Sequence, residues 1–549
     1  MDDRTLPRKG TALLLGLTAA TLLLRLGDVP LIGPDEPRYA RVAVEMHRSG
    51  DWVTPTLGGE PWLEKPILYY WTASAAFAAF GETEQAARLP SLAAAVLLVW
   101  MTALAGARLY GRFAGLTAGF ASGTCVLTFV YGRAAAMDEL LAAAVTVAVG
   151  LLGLRVLDRA GPGAVVAAYA AIGFAILAKG PLGVVVPVLV MGAWLATDRT
   201  PGALGRLVSP SAVGALLLVA APWYAAILLD QGWHFVDVFL LDHNLLRFAS
   251  TVHSHPGPPY YYVGVLLLGL LPWTALLLPG FGSLHPRREP ADRFVLIWFL
   301  APFAFFSVAG SKLPGYIIPC LPPLGLIMGR GALALARGER LPRGLGARAT
   351  AVTGLVLSGA LLGLALELAF VPDPSGPHLF PANVYGTDHV RSVLPAAVWS
   401  GLVALLVALR LGRRPLAALT VLRTGAAGFL LLLTLALPPI LGHFQSGRRF
   451  FLSADGRPVV SWGGWRTAWM AGYFYNEARV SRVDYFWELE QRLAQGVELV
   501  LCGPKECAQL EAHPGLETAR LAEGAKRNAL LRVKLRPPLP PPPEAASSS

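Results

Sequence analysis

The stretch from Gly33 to Trp71, GPDEPRYARVAVEMHRSGDWVTPTLGGEPWLEKPILYYW, concentrates charge in a chain that is otherwise strongly apolar. It follows the first long apolar run directly, which places it at a membrane face. Pro34 and Pro37 flank Asp35 and Glu36, and proline restricts both its own backbone and that of the residue before it. The expectation is an irregular turn presenting two carboxylates. Arg38, Arg41, Glu64 and Lys65 add charge to the same loop, and Tyr69, Tyr70 and Trp71 after Pro66 predict a short helix along the interface.

Outside that loop the composition is that of a membrane protein. Of 549 residues 54% are hydrophobic and only 15% charged, with a mean hydropathy of +0.53, well beyond the soluble range. The net charge of +11 does not argue for nucleic acid, because much of the Lys and Arg sits in short connections between apolar runs. MDDRTLPRKG followed by TALLLGLTAATLLL has the outline of a signal peptide, but without a small-residue cleavage site and with many apolar runs behind it, an uncleaved first span is expected.

Apolar runs long enough to cross the hydrocarbon core are read near 11–27, 88–108, 114–131, 139–157, 164–179, 180–196, 207–229, 261–279, 293–309, 316–333, 349–371, 394–411 and 418–441. The pair around Lys179-Gly180-Pro181 is readable as two spans or one kinked one. About thirteen spans are expected. Arginine-rich connections such as 337–348 and 410–414 mark the cytoplasmic side. Loops 28–87, 132–138, 230–260, 310–315 and 372–393 then face out, with the N-terminus cytoplasmic and the C-terminus outside.

After residue 441 the character changes. Alternation at 457–462, 497–502 and 529–535 predicts strands, and an amphipathic helix over 484–495 stops at Gly496. The expected organisation is an all-α polytopic membrane domain over 1–441, an extramembrane α/β domain over 442–536, and a disordered proline-rich tail over 537–549. Cys502 and Cys507 would be either a disulfide or two free thiols.

Ionisable residues recur where spans end on the outer side: Asp35, Glu36, Glu64, Lys65, Arg133, Asp138, Lys179, Asp242, Arg247 and Lys312. Ionisable groups at membrane depth are costly and mark functional sites. A pocket with both signs of charge suits a phosphate or diphosphate held by basic groups, with carboxylates as base, metal ligand or orienting group. Bland readings stand beside these. Asp138 is also placed to cap a helix, and Lys65 and Lys179 to snorkel, although each precedes a proline or glycine-proline break. His234, His243, His253 and His255 fall close together without tight metal-ligand spacing. Tyr260, Tyr261, Tyr262 and Trp273 read mostly as an interface belt, and Tyr316 as a pocket residue.

The blocks DEPRYARVAVEMHRSGDWVTPTLGGEPWLEKPILYYW, YGRAAAMDEL, AILAKGPLGVVVPVLV, DHNLLRFASTVHSHPGPPYYY, LPWTALLLPG and FSVAGSKLPGYIIP occur in the order found in bacterial lipid A aminoarabinose transferases. Over about residues 30–330 the chain resembles these enzymes and their GT-C glycosyltransferase relatives, including protein O-mannosyltransferases. The resemblance implies about thirteen spans and a periplasmic α/β domain in the bacterial inner membrane. It implies transfer of a sugar, 4-amino-4-deoxy-L-arabinose, from undecaprenyl phosphate to a periplasmic-side acceptor such as a lipid A phosphate, with inversion and as a monomer.

Carried over, Asp35 matches the principal catalytic acid, Asp138 the second acidic residue and Lys65 the lysine pairing with them. Arg38, Arg133, Lys179, Lys312 and Tyr316 are expected at the carrier phosphate. Glu64 and His255 resemble a zinc site. Relatives with the same loops modify proteins or other glycans, so a protein O-glycosyltransferase is the alternative acceptor reading. A polyprenyl-lipid flippase is the alternative of another class, although no internal repeat supports it.

Overall fold

A computed structural model of the chain describes residues 5–198, 202–239, 257–342, 344–370, 394–411, 413–464, 466–524 and 527–536. The chain divides into two compact units, one of residues 1–28 with 42–438, the other of residues 29–41 with 439–549.

The first unit is helical. It contains α1 (Arg8–Leu23), most of α2 (Asp35–Ser49), a small hairpin β1 (Thr56–Leu57) and β2 (Glu60–Pro61), α3 (Leu68–Phe80) and α4 (Glu84–Tyr110). Then follow α5 (Arg112–Gly123), α6 (Val126–Tyr131), α7 (Asp138–Val156), α8 (Gly163–Lys179), α9 (Leu182–Thr197) and α10 (Pro210–Gln231). Further helices include Pro290–Val308, Leu321–Arg337, Ala347–Phe370, Leu394–Leu411 and most of Pro415–Gln445. The apolar character that makes these residues greasy also makes them interchangeable with lipid, so packing relies on small residues that let backbones approach. At Gly115 an added Cβ would lie 2.4 Å from the Ala107 backbone nitrogen, so the contact between α4 and α5 admits no side chain there.

Among the described residues, seven helices are long and apolar enough to cross a membrane, or eight if one bent pair counts as a single span. α8, α9 and Ala347–Gly363 are shorter apolar helices. The chain is therefore a multi-pass membrane protein, and several of the apolar runs are broken within it. A hydropathy window counts apolar length and does not see breaks. The run at 114–131 splits into α5 and α6, and the run at 261–279 bends by 113° between Tyr261–Gly269 and Thr274–Gly282. The run around Lys179 is two helices, separated where Gly180 takes φ +65°.

The second unit is an α/β domain. Strands β3 (Val459–Trp462), β4 (Val480–Val483), β5 (Leu499–Cys502), β6 (Leu516–Glu523) and β7 (Ala529–Leu535) form one sheet in the order β4-β3-β5-β7-β6. β3 pairs in parallel with β4 and β5, while β7 is antiparallel to β5 and β6. Alternate residues point to opposite faces, and each face has its own core. Val460, Val500, Leu531 and Val533 pack with Leu489, Leu493 and Leu510 of the helices Phe486–Ala494 and Pro504–Ala512. Val459, Leu499, Leu501 and Leu530 pack with Phe450, Phe451 and Ala468 on the other side. Cys502 and Cys507 form a disulfide. β4 and β6 escape the sequence reading because they are the sheet edges, where less of each strand is buried.

Residues 29–41 are tied to this second unit. The Leu31 N–H donates to the Tyr475 hydroxyl at 2.7 Å, and the Ser446 hydroxyl donates to the Leu31 carbonyl at 2.9 Å.

Candidate active site

In the first unit, α7 begins at Asp138 and α8 ends at Lys179, and the two helices pack against each other. The connection between them reverses the chain, so the start of one lies beside the end of the other. An acid at a helix N-terminus and a cation at a C-terminus each agree with the helix dipole. Lys179 Nζ donates to Asp138 Oδ1 at 2.5 Å, with side chains 15% and 21% exposed. Asp138 is not the cap considered from sequence. Met137 holds the cap position and makes no side-chain cap bond, so the carboxylate is spent on the lysine.

The same ammonium lies 4.6 Å from the centre of the Tyr316 ring. Tyr316 sits in a 3-10 helix, Pro314–Cys320, opened by the KLPG turn. Gly315 permits the approach, because a Cβ there would stand 2.7 Å from Tyr131 Cε1 and 3.0 Å from Asp138 Oδ1. Tyr262 is buried, and its hydroxyl donates to the Leu313 carbonyl at 3.2 Å, pinning that turn. The first unit thus brings together Asp138, Lys179 and Tyr316, with Gly315, Tyr131 and Tyr262 around them. The three supporting residues were not singled out from sequence as site residues. A glycine immediately before a site tyrosine was the available signal.

The interface-belt reading of the aromatics needs correction. Tyr260 is exposed, but Tyr262 and Trp273 are fully buried, the Trp273 indole N–H donating to the Thr124 hydroxyl at 3.0 Å.

Lys312 lies on the same segment as Tyr316, buried at 6% exposure, with its ammonium on the Ala309 carbonyl. Glu64 and Lys65 follow β2 on the turn into α3, half-buried, and neither lacks a partner.

Arg133 corrects the expectation of a phosphate ligand. Its guanidinium donates to the carbonyls of Thr21, Leu22, Leu24 and Arg25 at 2.8–3.2 Å and stacks on Phe129. The Thr21 and Leu22 carbonyls belong to the last turn of α1 and those of Leu24 and Arg25 lie just past it, so Arg133 caps a helix. Burial pushes its guanidinium down to about 10, which leaves it charged at neutral pH.

In the second unit, Asp35 is the first residue of α2, which overturns the irregular turn expected from the flanking prolines. Pro37 falls in the first helical turn, where a missing N–H has no intrahelical partner to lose. Arg38, 7% exposed, forms an ion pair with the half-exposed Asp35 and donates from Nε to the Pro34 carbonyl at 3.0 Å. Glu36 is buried and accepts from the Ile32 N–H at 2.7 Å. Arg38 therefore orients the Asp35 carboxylate.

Among the described residues no group of three or more His, Cys, Asp or Glu could hold a metal ion. His255 lies outside the described residues, as do Asp242, Arg247, His243, His253, the loop 372–393 and the tail 537–549. Glu64 is then the one described member of the zinc pair. No step is routed through a metal.

Known proteins share this architecture. The dolichyl-phosphate-mannose-protein mannosyltransferase family matches residues 64–225. An undecaprenyl phosphate-α-4-amino-4-deoxy-L-arabinose arabinosyl transferase of Aeromonas salmonicida is 33% identical over 361 residues, 63% of this chain and 64% of that protein. The match thus spans slightly less than two thirds of that relative's length. The enzyme of the same name from an Enterobacter species is 32% identical over 398 residues, 70% of this chain and 68% of that one. Crystal structures of ArnT from Cupriavidus metallidurans superpose over 95% of this chain and 97% of theirs. The TM-score is 0.77 at 23% identity for the apo state and 0.74 at 24% for the state bound to undecaprenyl phosphate. The ion-paired helix ends in a multi-pass helical unit, the separate α/β unit and the relationship along most of the sequence have one common account: the chain belongs to the family of undecaprenyl phosphate-α-4-amino-4-deoxy-L-arabinose arabinosyl transferases.

Proposed function

We propose that this protein is an inner-membrane glycosyltransferase that moves 4-amino-4-deoxy-L-arabinose from undecaprenyl phosphate to a lipid A phosphate on the periplasmic side. The membrane domain would cover 1–441 with about thirteen spans, the N-terminus cytoplasmic, and the domain over 442–536 periplasmic; the protein would act as a monomer. The observation that carries the reading is Lys179, held by Asp138 at 2.5 Å and set over Tyr316 at a break between two apolar helices. A fixed cation at the end of a membrane helix suits a phosphate at the interface.

In the reaction an ionised oxygen of the acceptor phosphate attacks the anomeric carbon from the face opposite the carrier. The bond from that carbon to the carrier phosphate oxygen breaks, its electron pair stays on the phosphate, and free undecaprenyl phosphate leaves. The anomeric centre inverts. Lys179, with Lys65 and Lys312, stabilises the charge that grows on the departing phosphate. An ionised acceptor has no proton to give up, so Asp35 orients the acceptor or donor amine rather than acting as a base. Arg38 fixes its direction. Tyr316 limits the positions open to the Lys179 ammonium.

The test is purified protein with synthetic undecaprenyl phosphate-aminoarabinose and lipid A, read by mass spectrometry of the lipid A and by release of free carrier. Wild type should add one aminoarabinose and release carrier in equal amount, and Asp35→Asn should do neither while remaining folded in the membrane. Carrier release without modified lipid A, or near-normal turnover by Asp35→Asn, would defeat the respective assignment.

A further inference from the structure

At the other end of the same helices lies a second charged concavity. α4 ends at Tyr110, α7 ends shortly before Arg159, Pro290–Val308 begins and Leu321–Arg337 ends, and between these ends is a solvent-open cleft of about 570 Å³. The nineteen residues of α7 separate it from Asp138. At about 1.5 Å rise per residue that is roughly 28 Å, so it is distinct from the candidate active site.

Four arginines, Arg159, Arg288, Arg330 and Arg337, line the cleft against two carboxylates, Glu289 and Asp292. Asp292 is 2% exposed and its carboxylate accepts from the His285 backbone N–H at 2.8 Å, so it is turned into the fold. Arg330 is paired with Glu339 at 2.9 Å, and Arg159 donates to the Arg108 carbonyl at 2.9 Å. Arg288 and Arg337 are exposed, and among the described residues neither side chain is in an ion pair. The cleft therefore keeps an excess of positive charge in a concave surface, which raises the local concentration of anions.

We infer that this cleft binds the phosphate group of an anion at the arginine-rich face of the membrane domain. Guanidinium forks match phosphate oxygens in pairs. The cleft sits at the ends of membrane helices, the depth at which an anionic lipid presents its headgroup. A soluble phosphate compound offers the same oxygens from the water side.

Two arms separate the sources. Full-length protein is reconstituted in nanodiscs of phosphatidylcholine with phosphatidylglycerol, and lipid retention is read by native mass spectrometry. Protein in detergent is titrated with inorganic pyrophosphate by calorimetry. Retention of phosphatidylglycerol identifies the lipid, and binding of pyrophosphate alone identifies a soluble anion. In the arm that binds, R288Q/R337Q should bind at least about tenfold more weakly, from roughly a fivefold contribution per basic residue at such a surface, with unchanged melting temperature. Should that pair misfold, R337Q alone carries the comparison. Equal binding by wild type and variant, or binding in neither arm, overturns the inference.

Discussion

Asp138 Oδ1 receives the Lys179 ammonium at 2.5 Å, joining the first residue of one membrane helix to the last residue of the next. Both side chains are largely shielded, so neither charge has water as a full substitute for the other.

Removing either partner should therefore be damaging. Asp138→Asn and Lys179→Met should each lower carrier release at least about a hundredfold, the scale of lost electrostatic stabilisation at a reacting phosphate. The double variant should be no worse than the poorer single one, because both act through one pair. Single-turnover assays on the three purified variants check this. Multiplicative losses would separate the two roles.

Gly315→Ala should disturb the same pair without touching a charge. Its Cβ would meet Tyr131 at 2.7 Å and Asp138 at 3.0 Å, and overpacking costs about 1–3 kcal/mol. Turnover should fall more steeply than thermal stability, because the atoms that must move include the carboxylate. Melting temperature and rate measured on one preparation give the comparison.

Arg133→Gln should behave in the opposite way. With its guanidinium on four carbonyls at the end of α1, the loss is one of stability, about 1–3 kcal/mol for backbone groups left unsatisfied. The KM for the carrier should be unchanged in whatever fraction remains folded. A raised KM with an unaltered melting temperature would return Arg133 to the phosphate.

The α/β unit should lose a little stability in acid through Glu511. The hydrogen bond from Arg520, at 2.6 Å, holds the Glu511 carboxyl below its ordinary value. A depressed carboxyl contributes above its unfolded value of about 4.3 and loses that contribution as pH falls through the folded value. Both side chains are over a third exposed, so the effect is under about 1 kcal/mol. Glu511→Gln should lower thermal stability at pH 7 by that small amount and converge on wild type in acid, flattening the acid limb below about pH 4.3. The raised Arg520 guanidinium adds no dependence in that range.

What could be read in the order of residues was what depends on local pattern. Mean hydropathy and run length identified a multi-pass membrane protein. Period-two alternation found β3, β5 and β7, the central strands whose two faces are both buried, charged residues at the ends of apolar runs found Asp138 and Lys179, and its place after SKLPG beside the charged loops found Tyr316, each as a separate candidate.

Tertiary structure decided which of these meet and which are already occupied. Asp138 and Lys179 are 41 residues apart, and only the packing of α7 on α8 makes them a pair. Arg133 looks like Lys179 in a sequence, a cation at the end of an apolar run, yet it is consumed by carbonyls more than a hundred residues away. Residues 29–41 group with a domain that begins some four hundred residues later, which no local periodicity encodes. The physical reason is common to all three. A charge in or beside a membrane takes the partner that space provides, and hydrophobic spacing along a chain specifies helices and strands without specifying their neighbours.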